Sequence, residues 1–190
     1  MPLPHHYLIT PTPHDREAFL AQLELSLEAG IRLLWLKAKG LDADGYRALA
    51  ARVIPLAHRY DCQVLLNGDP ALVGELGADG LHLESRALAA CTQRPLPGYY
   101  LLGVSAHSLE GLRQGEALGA SFGVLSPIHQ TSAHPDLEPL GWEGMRRIVA
   151  QLAIPIYALG GVSGADEAQA IAAGGQGVAG HRGYWLGGDA

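Results

Sequence analysis

The sequence predicts an α/β protein, a compact (β/α)8 or TIM barrel with a truncated or missing last helix. Three observations carry that expectation. Eight short apolar stretches alternate with helical stretches along 190 residues, and no hairpin signal interrupts them. The apolar stretches are continuous rather than alternating, as parallel strands buried on both faces should be. The seventh, Ile154 to Leu159, runs into Gly160-Gly161, with Ser163, Asp166 and an alanine-rich helical stretch behind it. Glycines between a buried strand and a helix N-terminus let backbone N–H groups approach an anion, and barrels place phosphate sites after strands seven and eight. An ordinary glycine turn is the competing reading of these residues. The competing fold, a doubly wound open sheet, would have fewer strands and a GxGxxG in its first turn.

The elements follow in order. Tyr7 to Thr10 reads as the first strand, closed by Pro11-Thr12-Pro13. Asp15 caps a helix whose apolar positions Phe19, Leu23 and Leu27 recur at helical spacing until Gly30. Leu33 to Lys37 is the second strand, and Asp42 or Asp44 caps a helix reaching about Tyr60. Gln63 to Asn67 is the third, with Gly68-Asp69-Pro70 turning into a short helix. Ala78 to Leu83 and Leu101 to Ser105 are the fourth and fifth, the latter leading to a helix from Leu109 to Leu118. Ser121 to Ser126 is the sixth, followed by a long loop to Leu140 and a helix from Trp142 to Leu152. After the seventh strand a helix lies near Ala165 to Ala173, and Gly177 to Ala179 is the eighth strand. Little chain remains for a closing helix, so Trp185 and Leu186 are expected to cover the gap.

At this length, with 48% hydrophobic residues, the chain is expected to form one domain over 1–190. Residues 1–6 read as a loose N-terminal tail and 183–190 as a C-terminal tail. Thirteen basic against nineteen acidic side chains give a formal charge of −6, which argues against nucleic acid and anionic membrane as partners. The two cysteines, Cys62 and Cys91, lack CxxC spacing, and no signal peptide or membrane span is legible. A cytoplasmic protein with reduced thiols is expected, and the composition leaves room for a homo-oligomer.

Functional groups of a barrel sit at the C-terminal ends of its strands. Here these are Thr10, Lys37, Lys39, Asn67, His82, Ser105, His107, Ser126, Thr131, His134, Gly160, Gly161, Gly180, His181 and Arg182. The set is rich in cations and hydroxyls and poor in carboxylates, which suits a phosphorylated ligand. The histidines, His129 included, could converge on Zn²⁺ or Ni²⁺. The plainer reading makes His82 and His107 hydrogen-bonded supports, and the sequence gives no reason to abandon it. Trp35 either fills the barrel interior or narrows the pocket.

In their order and spacing these stretches resemble the thiamine phosphate synthase/TenI family, from Tyr7 to about Arg182. The resemblance rests on Tyr7-Leu-Ile-Thr10, Trp35-Leu-Lys-Ala-Lys39, Asn67-Gly68, Gly77-Ala-Asp-Gly-Leu-His-Leu83 and Gly103-Val-Ser-Ala-His-Ser108. It continues through Ser126-Pro-Ile-His-Gln-Thr131, Ala158-Leu-Gly-Gly-Val162 and Gly177-Val-Ala179. The ending Gly177 to Trp185 is similar to the divergent subgroup fused to Nudix hydrolases, which implies a functional link to such a hydrolase.

The resemblance implies a transferase of thiamine biosynthesis. It would join a pyrimidine methyl diphosphate to a thiazole phosphate and release pyrophosphate, normally with Mg²⁺ on the leaving group. Carried over residue by residue, Lys37 and Lys39 would hold the pyrophosphate, and Ser105 and Thr131 would position the reacting partners. Asn67, His82 and His107 would line the substrate, and Gly160, Gly161, Ala179 and Gly180 would hold the thiazole phosphate. The chain departs from the pattern at the metal. Gly68 and Ala87 stand where the family has its aspartates, Lys37 replaces an arginine and Trp35 a glutamine. The TenI histidine base falls on Pro127. Asp69 or Glu84 remain as candidate ligands if Mg²⁺ is retained. The alternatives are a domain that binds thiazole phosphate or thiamine phosphate without turnover, and another reaction with His107 or His129 as acid/base.

Overall fold

The computed structural model describes residues 2–132, 135–181 and 183–186. Eight parallel strands close a barrel in chain order: β1 (His6–Ile9), β2 (Leu33–Trp35), β3 (Gln63–Leu66), β4 (Gly80–Leu83), β5 (Leu101–Ala106), β6 (Phe122–Leu125), β7 (Ile156–Ala158) and β8 (Gly177–Gly180). The ring closes where Tyr7 of β1 pairs with Ala179 of β8. Between the strands run α1 (Arg16–Glu28), α2 (Ala43–His58), α3 (Ala71–Leu76), α4 (Ser85–Ala90), α5 (Leu109–Ala117), α6 (Gly141–Val149) and α7 (Glu167–Ala172). The expected TIM-barrel class is the observed one.

Local chemistry explains the helix starts. Asp15 accepts a hydrogen bond from the Ala18 N–H at 2.7 Å, Asp42 from Gly45 at 2.8 Å and Ser108 from Gly111 at 3.3 Å. Each satisfies one N–H that the first helical turn leaves open. Strand alternation then sorts the apolar residues. Tyr7, Ile9, Leu33, Trp35, Leu65, Phe122, Val124, Tyr157 and Ala179 form one buried cluster inside the barrel. Their chain neighbours Leu8, Leu34, Leu66, Leu125 and Val178 join the larger outer cluster against the helices. Burial of each large side chain contributes roughly 1.5–3 kcal/mol. Gly103 is part of this packing: a Cβ there would come within 2.7 Å of His82 Nδ1 and 2.9 Å of Phe122 Cζ.

Several expected boundaries shift. β2 ends at Trp35 because the chain turns through Ala38, whose φ is 36°. α4 was not anticipated: it has six residues, only Leu88 is buried, and no periodicity can show in so short a stretch. Residues 3–6 are not a loose tail. The carbonyl of Leu3 accepts from Gln176 Nε2 (2.7 Å), that of Pro4 from Tyr157 Oη (2.5 Å) and that of His5 from Val178 N (2.9 Å). They close the barrel floor, where unpaired strand ends would otherwise face the interior.

Among the described residues no helix follows β8. A strap takes its place. Trp185 lies 4.8 Å from the Phe19 ring and donates from Nε1 to Gln22 Oε1, and Leu186 N donates to Ser26 Oγ. Tyr184 is buried beside them, whereas Leu186 stays 37% exposed and covers less than expected. No helix among the described residues is long and apolar enough to cross a membrane, and Cys62 and Cys91 are both free thiols.

Candidate active site

Two positions beyond each inward-facing plug residue, the chain presents a functional group at the barrel mouth. Trp35 leads to Lys37, Leu65 to Asn67, His82 to Glu84 and Val124 to Ser126. A cavity of about 370 Å³ opens there, lined by Ile9, Lys37, Ser126, Gln130, Thr131, Ser132, Leu159, Gly160, Gly161, Val162, Gly180 and His181. Of the residues singled out in the sequence, Lys37, Thr131, Gly160, Gly161 and Gly180 line this cavity, whereas Lys39, Asn67, His82, Ser105 and His107 do not. Ala179 is fully buried in the interior cluster and does not line the cavity. His134 and Arg182 lie outside the described residues.

The glycines are required, but partly for a reason the sequence does not show. Gly160 and Gly161 have φ of 91° and 67°, where side chains are strained. Moreover, a Cβ on Gly160 would meet Pro127 Cα at 2.8 Å, and one on Gly161 would meet His129 Cβ at 2.7 Å. The loop after β6 packs flat on this turn, fixed by His129 N donating to Gly160 O at 2.9 Å. The expected contribution of a helix N-terminus is corrected. α7 has only six residues, and the 3-10 turn before it (Gly164–Asp166) is closed by its own capping box, with Ser163 N donating to Asp166 Oδ2 at 2.8 Å. The cradle is therefore a feature of the turn and its loop.

Below the mouth lies a buried relay. Tyr7 Oη and His82 Nδ1 are 2.9 Å apart, and His82 Nε2 and Ser105 Oγ 2.7 Å. Burial, seconded by the charge of Lys37, pushes the His82 pKa down to about 3, so the ring is neutral. Burial likewise holds the Tyr7 hydroxyl well above its ordinary value, with Tyr157 and Tyr46 adding to the shift. Tyr7 Oη finds no other acceptor among the described residues, so it donates to Nδ1. Nε2–H then donates to Ser105 Oγ, and Ser105 itself does not line the cavity. The tyrosine's part was missed, although its place two residues before Ile9 on the inner face was the available signal. His107 stands behind Ser126, its Nδ1 2.8 Å from the Ser126 carbonyl, and does not line the cavity.

Trp35 fills the interior. It is 1% exposed, stacks on His82 at 3.9 Å and leaves its Nε1 without a hydrogen-bond partner. Lys37 Nζ lies 4.7 Å from the Trp35 ring centroid, and burial lowers its pKa against the pull of Glu84. Asn67 faces the backbone just after β2 rather than the cavity: with its amide turned so that the nitrogen meets these acceptors, that nitrogen is 2.7 Å from Leu36 O, 3.0 Å from Tyr46 Oη and 3.2 Å from Lys37 O. Lys39 is 61% exposed and outside the cavity, reaching instead for Glu84.

The donors suit Mg²⁺ poorly. Hard cations take several carboxylate or carbonyl oxygens. Glu84 already spans two lysines, with Oε1 3.5 Å from Lys37 Nζ and Oε2 3.2 Å from Lys39 Nζ. Asp69 accepts from Ala71 N at 2.9 Å, as a turn residue does. Among the described residues no three His, Cys, Asp or Glu side chains could hold a metal, and the histidines do not converge. These residues do not fit a protein-bound Mg²⁺.

A closed parallel barrel with a glycine turn, hydroxyls and a cation at its mouth has the layout in which barrels place phosphate sites. The chain belongs to the thiamine monophosphate synthase family, whose sequence model matches residues 6–183. Over 163 residues it is 35% identical to "Putative thiamine-phosphate synthase 2" of Aquifex aeolicus, covering 86% of this chain and 88% of that one. The thiamine-phosphate synthase of Methanobrevibacter smithii is 26% identical over 158 residues, covering 83% and 76%. The fold matches the thiamine phosphate pyrophosphorylase from Pyrococcus furiosus with a TM-score of 0.73 at 22% identity, over 92% of this chain and 83% of that structure.

Proposed function

We propose that this chain forms thiamine phosphate from a pyrimidine methyl diphosphate and a thiazole phosphate. The observation that carries the reading is one cavity that joins Gly160, Gly161 and Gly180 to the side chains of Ser126, Thr131 and Lys37. In this reading the turn Gly160–Gly161 and Gly180 hold the thiazole phosphate, and Ala179 backs them. The bond between the pyrimidine methylene carbon and the diphosphate oxygen breaks, and its electron pair leaves with pyrophosphate. The lone pair of the thiazole nitrogen then closes the new carbon–nitrogen bond. Lys37 and Lys39 stabilise the charge that develops on the leaving group. Ser105, its hydroxyl aimed by His82, and Thr131 position the two partners. Asn67 and His107 act through the backbone they hold.

No protein-bound metal takes part in this reading, and any Mg²⁺ arriving on the diphosphate is part of the substrate. The test is thiamine phosphate formation by the purified chain, with Mg²⁺ and with chelator, beside Lys39→Ala. Product whose rate depends on Lys39 supports the reading. A folded chain that binds thiazole phosphate and makes no product would replace the synthase with a binding domain.

The finer placement is also ours. The stretch Gly177 to Trp185 suggests the Nudix-fused subgroup and a functional link to such a hydrolase, and the free thiols Cys62 and Cys91 suggest a cytoplasmic site of action. Co-purification with a Nudix hydrolase tests the link, and sedimentation tests whether the barrel is a homo-oligomer.

A further inference from the structure

Glu84 sits at the junction of β4 and α4, where its main chain is anchored by Leu88 N donating to Glu84 O at 2.8 Å. Its side chain makes no capping bond to that helix and is 34% exposed. One carboxylate oxygen faces Lys37 and the other Lys39. The hold is uneven. Oε1 is buried, has no hydrogen-bond partner, and rests on Lys37 at 3.5 Å, beyond good hydrogen-bond geometry. A carboxylate so placed cancels one of the two positive charges, which leaves the pair with a net charge of about +1. It also occupies the positions that the oxygens of an anionic ligand would take.

We propose that Glu84 is an internal competitor for the diphosphate. Its carboxylate holds Lys37 and Lys39 in the free protein and leaves them when a diphosphate binds, so it sets how the barrel mouth discriminates diphosphate from monophosphate ligands. The proposal rests on the reading that these lysines receive the diphosphate. The chemistry follows from exchange. A diphosphate carries more charge and more acceptor oxygens than a carboxylate, so it wins the lysines, but its apparent affinity is reduced by the fraction of protein in which the clamp is closed. The same exchange helps product leave, because the carboxylate returns as pyrophosphate goes. A monophosphate in the glycine cradle meets only one arm of the clamp, since Lys37 lines that cavity and neither Glu84 nor Lys39 does.

The experiment is calorimetric titration of inorganic pyrophosphate and of thiazole phosphate, in chelator at low salt, into wild type, Glu84→Gln, Lys39→Ala and the double variant. Glu84→Gln keeps the shape and removes the charge, and a thermal melt checks its fold. The expected result is pyrophosphate binding tightened about tenfold or more in Glu84→Gln, with thiazole phosphate changed less than threefold. That gain should shrink in the Lys39→Ala background and at 0.5 M salt, roughly where screening reaches a few ångströms. Unchanged or weaker pyrophosphate binding in Glu84→Gln overturns the proposal, as does binding in neither protein. Weaker binding confined to Mg²⁺-containing buffer would make Glu84 a metal ligand instead, which also overturns it. Thiamine phosphate formation without the Glu84→Gln effect would leave the synthase reading standing and this proposal fallen.

Discussion

The two sides of the barrel mouth are built from different materials. On the side of β7 and β8 the walls are backbone: a left-handed turn at Gly160–Gly161, the loop from Pro127 to Gln130 packed against it, and Gly180. On the side of β2 and β4 they are long charged side chains, Lys37, Lys39 and Glu84, partly exposed and paired with one another. The first side is fixed by steric contact and has one geometry. The second is fixed by charge and can exchange partners. A rigid cradle suits a group that stays through the reaction, and an exchangeable clamp suits one that must depart.

Substitutions can break each side in its own way. The largest effect should come from Gly161→Ala. Its Cβ would lie 2.7 Å from His129 Cβ and 3.1 Å from Gln130 O, at a φ of 67°. Strain of about 1–3 kcal/mol adds to displacement of the loop. Calorimetry should show thiazole phosphate binding weakened about a hundredfold, and a change under threefold would mean that the turn is no cradle. Lys39→Ala should act on the other side only. Because Lys39 is 61% exposed, the loss should be about tenfold in KM for the diphosphate, with KM for thiazole phosphate unchanged, read from initial rates.

Under both sides lies the relay, where the contrast becomes one of support. Tyr7→Phe removes the donor to His82 Nδ1 and leaves a buried nitrogen unsatisfied, a cost of about 1–3 kcal/mol in a denaturant melt. It should also free the imidazole tautomer, visible in nitrogen NMR, and lower kcat more than it raises KM. Acidification gives the smallest and most gradual effect. His82 is held neutral with a pKa of about 3, against an ordinary value of 6.5. Between those values the unfolded chain binds the proton and the folded one does not. Its stabilising contribution is therefore complete above about pH 6.5 and declines as pH falls toward 3. Between pH 7 and pH 4, the melting temperature of His82→Gln should fall less than that of wild type. An equal fall would assign the acid sensitivity elsewhere.

Much of this was legible in the amino-acid sequence, and the exceptions have physical causes. The barrel showed because buried parallel strands leave continuous apolar runs, and Asp15 announced its helix by capping chemistry, whereas only the structure chooses Asp42 over Asp44 and shows Ser108 as a cap. α4 did not show, since a helix of six residues burying only Leu88 leaves no period. The floor formed by Leu3, Pro4 and His5 did not show either, because carbonyls that accept bonds from Gln176, Tyr157 and Val178 carry no side-chain signal. At the site, Gly160 and Gly161 were legible as a special turn, but the collision with Pro127 and His129 depends on contacts between separate segments. Likewise Glu84 read as a candidate Mg²⁺ ligand, and only the fold sets it between two lysines. Residue types were readable and partners were not.

The central claim is that this mouth holds a monophosphate in its cradle while a diphosphate departs across its lysines. Phosphorus NMR of one reaction mixture tests it most directly, because thiamine phosphate and pyrophosphate are both visible there. The account predicts equal amounts of the two with the wild-type chain, and both formed up to about a hundredfold more slowly by Gly161→Ala at the same subsaturating thiazole phosphate concentration. A folded wild-type chain that leaves both substrates intact, or product formation undiminished in Gly161→Ala, would contradict it.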